Sequence, residues 1–217
     1  MNILYDERVD GVLPATDKHA LLQALREQIP DLEILHSREE LKPYECDGLS
    51  AYRTTPMLVV LPREIEQVEK LLKICHQQRV PVVPRGAGTG LSGGALPLEK
   101  GVLLVMARFN KILEIDPAGR FARVQPGVRN LAISQAAAPH GLYYAPDPSS
   151  QIACSIGGNV AENAGGVHCL KYGLTVHNLL KVDMLTVDGE RLTLGSDALD
   201  SPGFDLLALF TGSEGML

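Results

Sequence analysis

Residues 84–95, PRGAGTGLSGGA, place five glycines in twelve positions. Glycine accepts positive φ and lets a ligand approach bare backbone. Successive backbone N–H groups in such a loop can converge on an anion such as a pyrophosphate, and Thr89 and Ser92 add hydroxyl donors. The competing reading is a flexible surface loop. An apolar strand leads directly into the loop and another follows it closely, which favours a ligand loop. No Lys follows a terminal glycine, so the phosphate loop of the NTPases is excluded. Gly88, Gly90 and Gly93 do satisfy GxGxxG, but a Rossmann fingerprint needs a helix opening at the last glycines. Pro97 and Gly101 stand where that helix would run. The residues predict a loop that holds phosphates by backbone alone, between strands.

A second cluster begins at PDPSS, residues 146–150, and continues as SIGGNVAENAGG, residues 155–166. Two Gly-Gly pairs flank a short segment predicted as a helix capped by Ser155. Glycines weaken such a helix, which is tolerable where something large and flat lies against its backbone. Close helix packing with nothing bound is the alternative. Two such loops in one domain point to a large cofactor. His140, His168 and His177 are the remaining candidates for a base. A lone histidine is more often structural, so no catalytic residue is assigned. Cys46, Cys75, Cys154 and Cys169 form no CxxC, and Cys75-His76 and His168-Cys169 are adjacent pairs that chelate poorly. No metal site is expected, and the cysteines read as reduced thiols.

The elements that must position these loops follow from periodicity. Residues 18–29 read as a helix capped by Asp17 and stopped by Pro30. Residues 32–35 read as a short strand, and 36–55 as loop with little regular structure. MLVVLP, from Met57, is a buried strand; residues 63–78 form an amphipathic helix with Ile65, Val68, Leu71, Leu72 and Cys75 on one face. VPVVP then reads as a second buried strand, so the unit suggests a parallel pair with a right-handed crossover. Strands are expected at 102–106, 112–115 and 121–124, and a helix at 129–139. A Pro-, Ser- and Gly-rich stretch covers 145–173. Residues 179–187 and 191–194 read as a hairpin around Asp188-Gly189, and 204–210 as a short helix. The fold class is α+β, with two small subdomains.

The 217 residues carry a formal net charge of -6, which argues against nucleic acid as a partner. No apolar run approaches a membrane span, and acids near the start stand where a secretory signal would carry Lys or Arg. The location is read as cytoplasmic. Residues 1–53 read as a helical extension and 54–217 as the ligand-binding domain. Met216-Leu217 reads as the opening of an apolar element, so a longer protein is expected.

PRGAGTGLSGGA followed by PDPSSQIACSIGGNVAENAGGVHCLKYG resembles the FAD-binding domain of vanillyl-alcohol-oxidase-type flavoenzymes. TGSEGM is similar to that domain's third motif. YECDGLSAYR, VMARFNKIL, QPGVRNLAISQ and LGSDALDSPGFDLLALFTGSEGM resemble the FAD-linked subunits of bacterial glycolate oxidases. The resemblance covers nearly the whole chain. It implies that Pro84, Arg85, Gly86, Ala87, Gly88, Thr89, Gly90, Leu91, Ser92 and Gly93 contact FAD at its pyrophosphate. It implies that Pro146, Asp147, Pro148, Ser149, Ser150, Ile156, Gly157, Gly158, Asn159, Glu162, Asn163, Gly165 and Gly166 wrap the ribityl chain and isoalloxazine. Gly212 and Glu214 are placed near the cofactor. Thr89 stands where relatives with covalent FAD often carry a His, so non-covalent FAD is expected.

The implied activity is oxidation of a 2-hydroxy acid, glycolate to glyoxylate. The implied partners are a second flavin-domain subunit and an iron–sulfur subunit, with contact to the inner membrane only through them. In such relatives the substrate pocket and base come largely from a downstream cap domain, so this chain alone is expected to be inactive. The alternatives are the flavin domain of a D-lactate dehydrogenase, an FAD-binding electron-transfer module without its own substrate site, and a nucleotide-binding protein without redox chemistry.

Overall fold

Two unbroken apolar runs, LVVL and VLLV, are buried along their whole length. A strand without a polar face needs cover on both sides. In this computed structural model, which describes residues 17–197 and 203–216, those runs are the central strands of a four-stranded sheet. Its members are β1 (Glu33–Leu35), β2 (Leu58–Leu61), β3 (Val82–Arg85) and β4 (Val102–Val105), in the order β1-β2-β4-β3. β2 and β3 both run parallel to β4, and β1 is antiparallel to β2.

Alternation of side chains along β2 and β4 divides the core in two. Leu58, Val60, Val102 and Leu104 meet Leu21 and Leu25 of α1 (Lys18–Gln28) and Val68, Leu71 and Cys75 of the helix at Ile65–Gln77. Val59, Leu61, Leu103 and Val105 face the other way, onto Leu41, with Tyr44 packed against them. Each fully buried Leu or Val contributes roughly 1.5–3 kcal/mol relative to exposure. Burial also pushes the Cys75 thiol up to about 12. The Asp17 carboxylate caps α1, accepting from the His19 N–H at 2.8 Å.

Three expectations need correction here. Residues 36–55 are not mere loop: α2 (Arg38–Leu41) and a 3-10 turn at Lys42–Tyr44 cover the second face of the sheet. Ser37 and Glu40 form a reciprocal capping box that nucleates α2. Backbone hydrogen bonds from Ser37 and His36 hold the Glu40 carboxyl down at about 2. Next, β2 and β3 are not paired, because β4 inserts between them. Finally, β3 is only partly buried, since it is an edge strand. The helix between them, α3 (Ile65–Gln77), buries Val68, Leu71, Leu72, Ile74 and Cys75.

The second subdomain is assembled from hairpins and short helices. β5 (Ile112–Asp116) and β6 (Phe121–Val124) form an antiparallel pair, and α4 (Asn130–Ala137) packs Ile133 onto Val128 and Ile156 in a small separate core. The predicted helix at 129–139 ends at Ala137 and passes into a 3-10 turn through Pro139. The Gly-rich stretch contains α5 (Ile156–Glu162) and α6 (Cys169–Tyr172). β7 (Lys181–Leu185) and β8 (Arg191–Gly195) form the predicted hairpin, with Gly189 at φ +80° in its turn. Arg191 ties it to α3 through Glu66 and Glu69, both at 2.9 Å. α7 (Leu206–Phe210) is capped by Asp205, whose carboxylate accepts from the Ala208 N–H. No described helix is long and apolar enough to cross a membrane. The N-terminal residues read as lacking a signal, residues 198–202 of the quoted C-terminal motif, and Leu217 all lie outside the described residues.

Candidate functional site

The first glycine loop leaves the end of β3 and runs against the N-terminus of α5. A Cβ at Gly86 would collide with Ser155 Oγ and lie 3.7 Å from the Gly158 backbone nitrogen. Gly88 and Gly93 take φ +69° and +80°, a region that disfavours any side chain. No helix follows the loop: after the turn closed by Leu96 N–H on the Gly93 carbonyl, the chain reaches β4 without helical structure. This matches the expectation of a backbone loop between strands. Arg85 lies under Gly88 with its guanidinium 5.9 Å from the Tyr44 ring centroid, and donates to the Cys46 carbonyl at 2.8 Å. Burial lowers the Arg85 pKa, while Asp47 opposes that shift.

α5 is the hub. Its start is fixed by residues 126–130: the Ile156 N–H donates to the Val128 carbonyl, and the Gly157 N–H to that of Pro126, both at 2.8 Å. Gly157 is required because a Cβ there would stand 2.7 Å from Pro126 Cβ. Ser155 occupies the N-cap position but makes no capping bond; its buried Oγ has no partner among the described residues, nor has Asn159 Nδ2. The expected Ser155 cap is therefore wrong, and the hydroxyl is left facing Gly86. Asn163 ends α5 at φ 49°, and its side-chain oxygen accepts from the Val176 N–H. The third motif docks on the same helix. The Gly212 N–H donates to the Val160 carbonyl and the Glu214 N–H to that of Ala161, both at 2.9 Å.

The 146–150 turn closes the second loop from outside. Asn130 Nδ2 donates to the Pro146 carbonyl, and the Pro148 and Ser150 carbonyls accept from Gln151 and Cys154. Ser149 lies in the same turn. Asp147 accepts the His168 N–H and faces its Nδ1 at 2.7 Å. Burial opposes ionisation of Asp147, yet these His168 contacts outweigh it and hold the carboxyl below its ordinary value. Gly166 lies so close that a Cβ would overlap the Asp147 carbonyl, and Gly165 abuts Leu174. His177 accepts from the Leu174 N–H, and His140 sits in the 3-10 turn after α4.

Between the two subdomains lies a cleft of about 390 Å³. Six of its eleven lining residues are Gly or Ala (Gly86, Ala87, Ala107, Gly127, Ala132 and Ala153), which leaves room for a broad ligand against backbone. Ser155 brings its unpartnered hydroxyl and Arg129 a positive charge. None of the three histidines lines it. Of the predicted site residues only Gly86 and Ala87 do so; farther along the first loop, Gly90 and Gly94 lie beside the Glu162 carboxylate. Burial raises the Glu162 pKa, and the Glu214 carboxylate adds to the shift against a hydrogen bond from Ser92. Sequence reasoning missed Asn110, Gly127, Arg129 and Ser155 as lining residues. The run QPGVRN was the available signal for Gly127 and Arg129. Among the described residues no group of His, Cys, Asp and Glu could hold a metal, and all four cysteines are free.

The residues present fit a dinucleotide. Glycines and alanines keep the walls bare, and the orphaned Ser155 hydroxyl faces the cleft. Residues 56–195 match the family model described as FAD binding domain. The glycolate oxidase subunit GlcD of Escherichia coli (strain K12) is 79% identical over 217 residues, which is 100% of this chain and 44% of that protein. The subunit of the same name from Bacillus subtilis (strain 168) is 43% identical over 80% of this chain and 37% of its own length. The chain thus spans less than half the length of the curated relatives it matches. Among solved structures, an alkyldihydroxyacetonephosphate synthase superposes with TM-score 0.78 at 25% identity, over 95% of this chain and 39% of that one. The α+β architecture, the glycine loops meeting at α5 and the family match agree: the chain belongs to the FAD binding domain family.

Proposed function

We propose that this chain is the FAD-holding part of a glycolate oxidase subunit, which oxidises glycolate to glyoxylate. The docking of the first loop and the 212–214 segment on α5, the helix of the second loop, carries the cofactor assignment. The similarity to proteins named glycolate oxidase subunit supports the substrate. Residues 54–217 carry the cofactor loops, and α1, β1 and α2 of the preceding segment complete the sheet and core that hold them. The N–H groups of residues 84–93 receive the pyrophosphate. Residues 146–150, 156–159, 162–163 and 165–166 border the ribityl chain and ring system, and Gly212 and Glu214 hold α5 in place. Ser155 Oγ and Asn159 Nδ2 offer unused hydrogen-bonding capacity, and Arg129 balances the anion. Bound FAD supplies the two-electron acceptance that side chains lack. Thr89 offers no imidazole for attachment, so the cofactor is held without a covalent link. The partners are a second flavin-domain subunit and an iron–sulfur subunit, with a cytoplasmic location and peripheral membrane contact through them.

The test is to replace the equivalent 217 residues of the E. coli subunit with this chain, then measure bound flavin and its anaerobic reduction by glycolate. Flavin that is bound and reduced by glycolate at a rate near that of the E. coli subunit supports the proposal. A flavin-bound product that glycolate does not reduce overturns the glycolate oxidase reading, and a flavin-free product overturns the cofactor assignment.

A further inference from the structure

We infer that Asp47 and Gly48 are positioning residues which preset the first glycine loop for its ligand; the inference rests on the flavin reading above. The segment 46–49 lies outside the glycine motifs, yet it touches the loop at its start, middle and end. At the start, Arg85 donates to the Cys46 carbonyl at 2.8 Å. At the end, Asp47 Oδ2 accepts the Ala95 N–H at 3.3 Å, while its Oδ1 accepts the Leu49 N–H at 2.8 Å. Asp47 is 7% exposed, so these bonds are shielded from water. Beneath the middle, a Cβ at Gly48 would stand 2.6 Å from the Gly90 carbonyl oxygen and 2.8 Å from that of Thr89.

Those two oxygens fix the loop's polarity. A trans peptide points its C=O and N–H in opposite directions. The Thr89 and Gly90 carbonyls face Gly48, so the N–H groups of Gly90 and Leu91 face away from the brace. Neither N–H donates to a backbone carbonyl among the described residues. Parallel N–H groups held this way make an acceptor-binding concavity. A side chain at position 48 would push the two carbonyls outward and rotate the N–H groups off their line. Gly48 is itself exposed and its φ is not positive, so what alanine costs there is the displacement of the Thr89 and Gly90 carbonyls.

Gly48→Ala, Asp47→Asn and Asp47→Ala are titrated with FAD beside the unaltered chain, and the melting temperature of each FAD-free protein is recorded. Asn keeps one acceptor oxygen and loses the other, so it should fall between the unaltered chain and Asp47→Ala. The expected result is about tenfold or greater loss of FAD affinity for Gly48→Ala, the scale of one strained backbone site, measured at a temperature where the FAD-free variant is still folded. An affinity within about twofold of the unaltered chain, or a Gly48→Ala chain that is unfolded without FAD at the temperature of the titration, overturns the positioning role. An unaltered chain that takes up no FAD overturns the flavin reading itself, and the positioning role with it.

Discussion

The two glycine loops solve one problem in different ways. The second loop is built into the fold: α5 bonds through its backbone to residues 126–130 on one side and to Gly212 and Glu214 on the other. Asp147 and Gly166 interlock behind it. The first loop has no helix of its own and leans on a neighbouring segment, residues 46–49. A loop welded into secondary structure ties ligand geometry to global stability. A loop braced from beneath separates them, so its shape can be perturbed without unfolding the domain.

The largest expected effect sharpens that contrast. Gly88→Val and Gly93→Val force β-branched residues into φ +69° and +80°, at about 1–3 kcal/mol each. Both should lose FAD on desalting, seen as loss of absorbance near the flavin band, while the FAD-free domain still folds. Full flavin absorbance in both variants would break the loop assignment.

Gly166→Ala should behave oppositely. Its Cβ would overlap the Asp147 carbonyl, so an overpacking loss of about 1–3 kcal/mol is expected in urea unfolding of the FAD-free protein. An unchanged midpoint would show that the second loop is not welded after all.

The Asp147 carboxyl, held low by His168, gives a pH signature. A depressed acid contributes stability above its unfolded pKa of about 3.9, and loses it as pH falls through the folded value. The unaltered chain should therefore lose melting temperature below about pH 4 more steeply than Asp147→Asn. Parallel curves would remove the ion pair from the account.

The smallest effect belongs to Glu162, whose raised pKa has the reverse sign. Its penalty is absent below the unfolded pKa and fully present above the folded one. Glu162→Gln should raise the melting temperature slightly at neutral pH and leave it unchanged in acid. A lower neutral melting temperature would mean that the ionised carboxylate supports the loop.

Much of the fold was legible because its signals are local. The apolar runs at 58–61 and 102–105, the face of α3 and the Asp188-Gly189 turn each lie within a few residues. The glycine clusters were legible for the same reason, since positive φ and bare backbone leave a compositional mark. Ser37 and Glu40 also carried a readable capping box, but the polar run around them concealed the apolar anchor, Leu41.

By itself, the sequence determined most of the strands and the long helices, though not α2, and the class of ligand that the two glycine clusters suit. Only the tertiary structure decided that β4 separates β2 from β3, that Ser155 turns its hydroxyl toward Gly86 instead of capping α5, and that residues 46–49 lie under Thr89 and Gly90. The physical reason is range. Turn and helix preferences are set by neighbours in the chain, whereas strand order and the brace depend on contacts between residues far apart in the sequence, such as Val82 with Val102 in the sheet and Asp47 with Ala95, at 48 positions, in the brace. Such contacts leave no periodicity to read, because their spacing is fixed by the path of the whole chain.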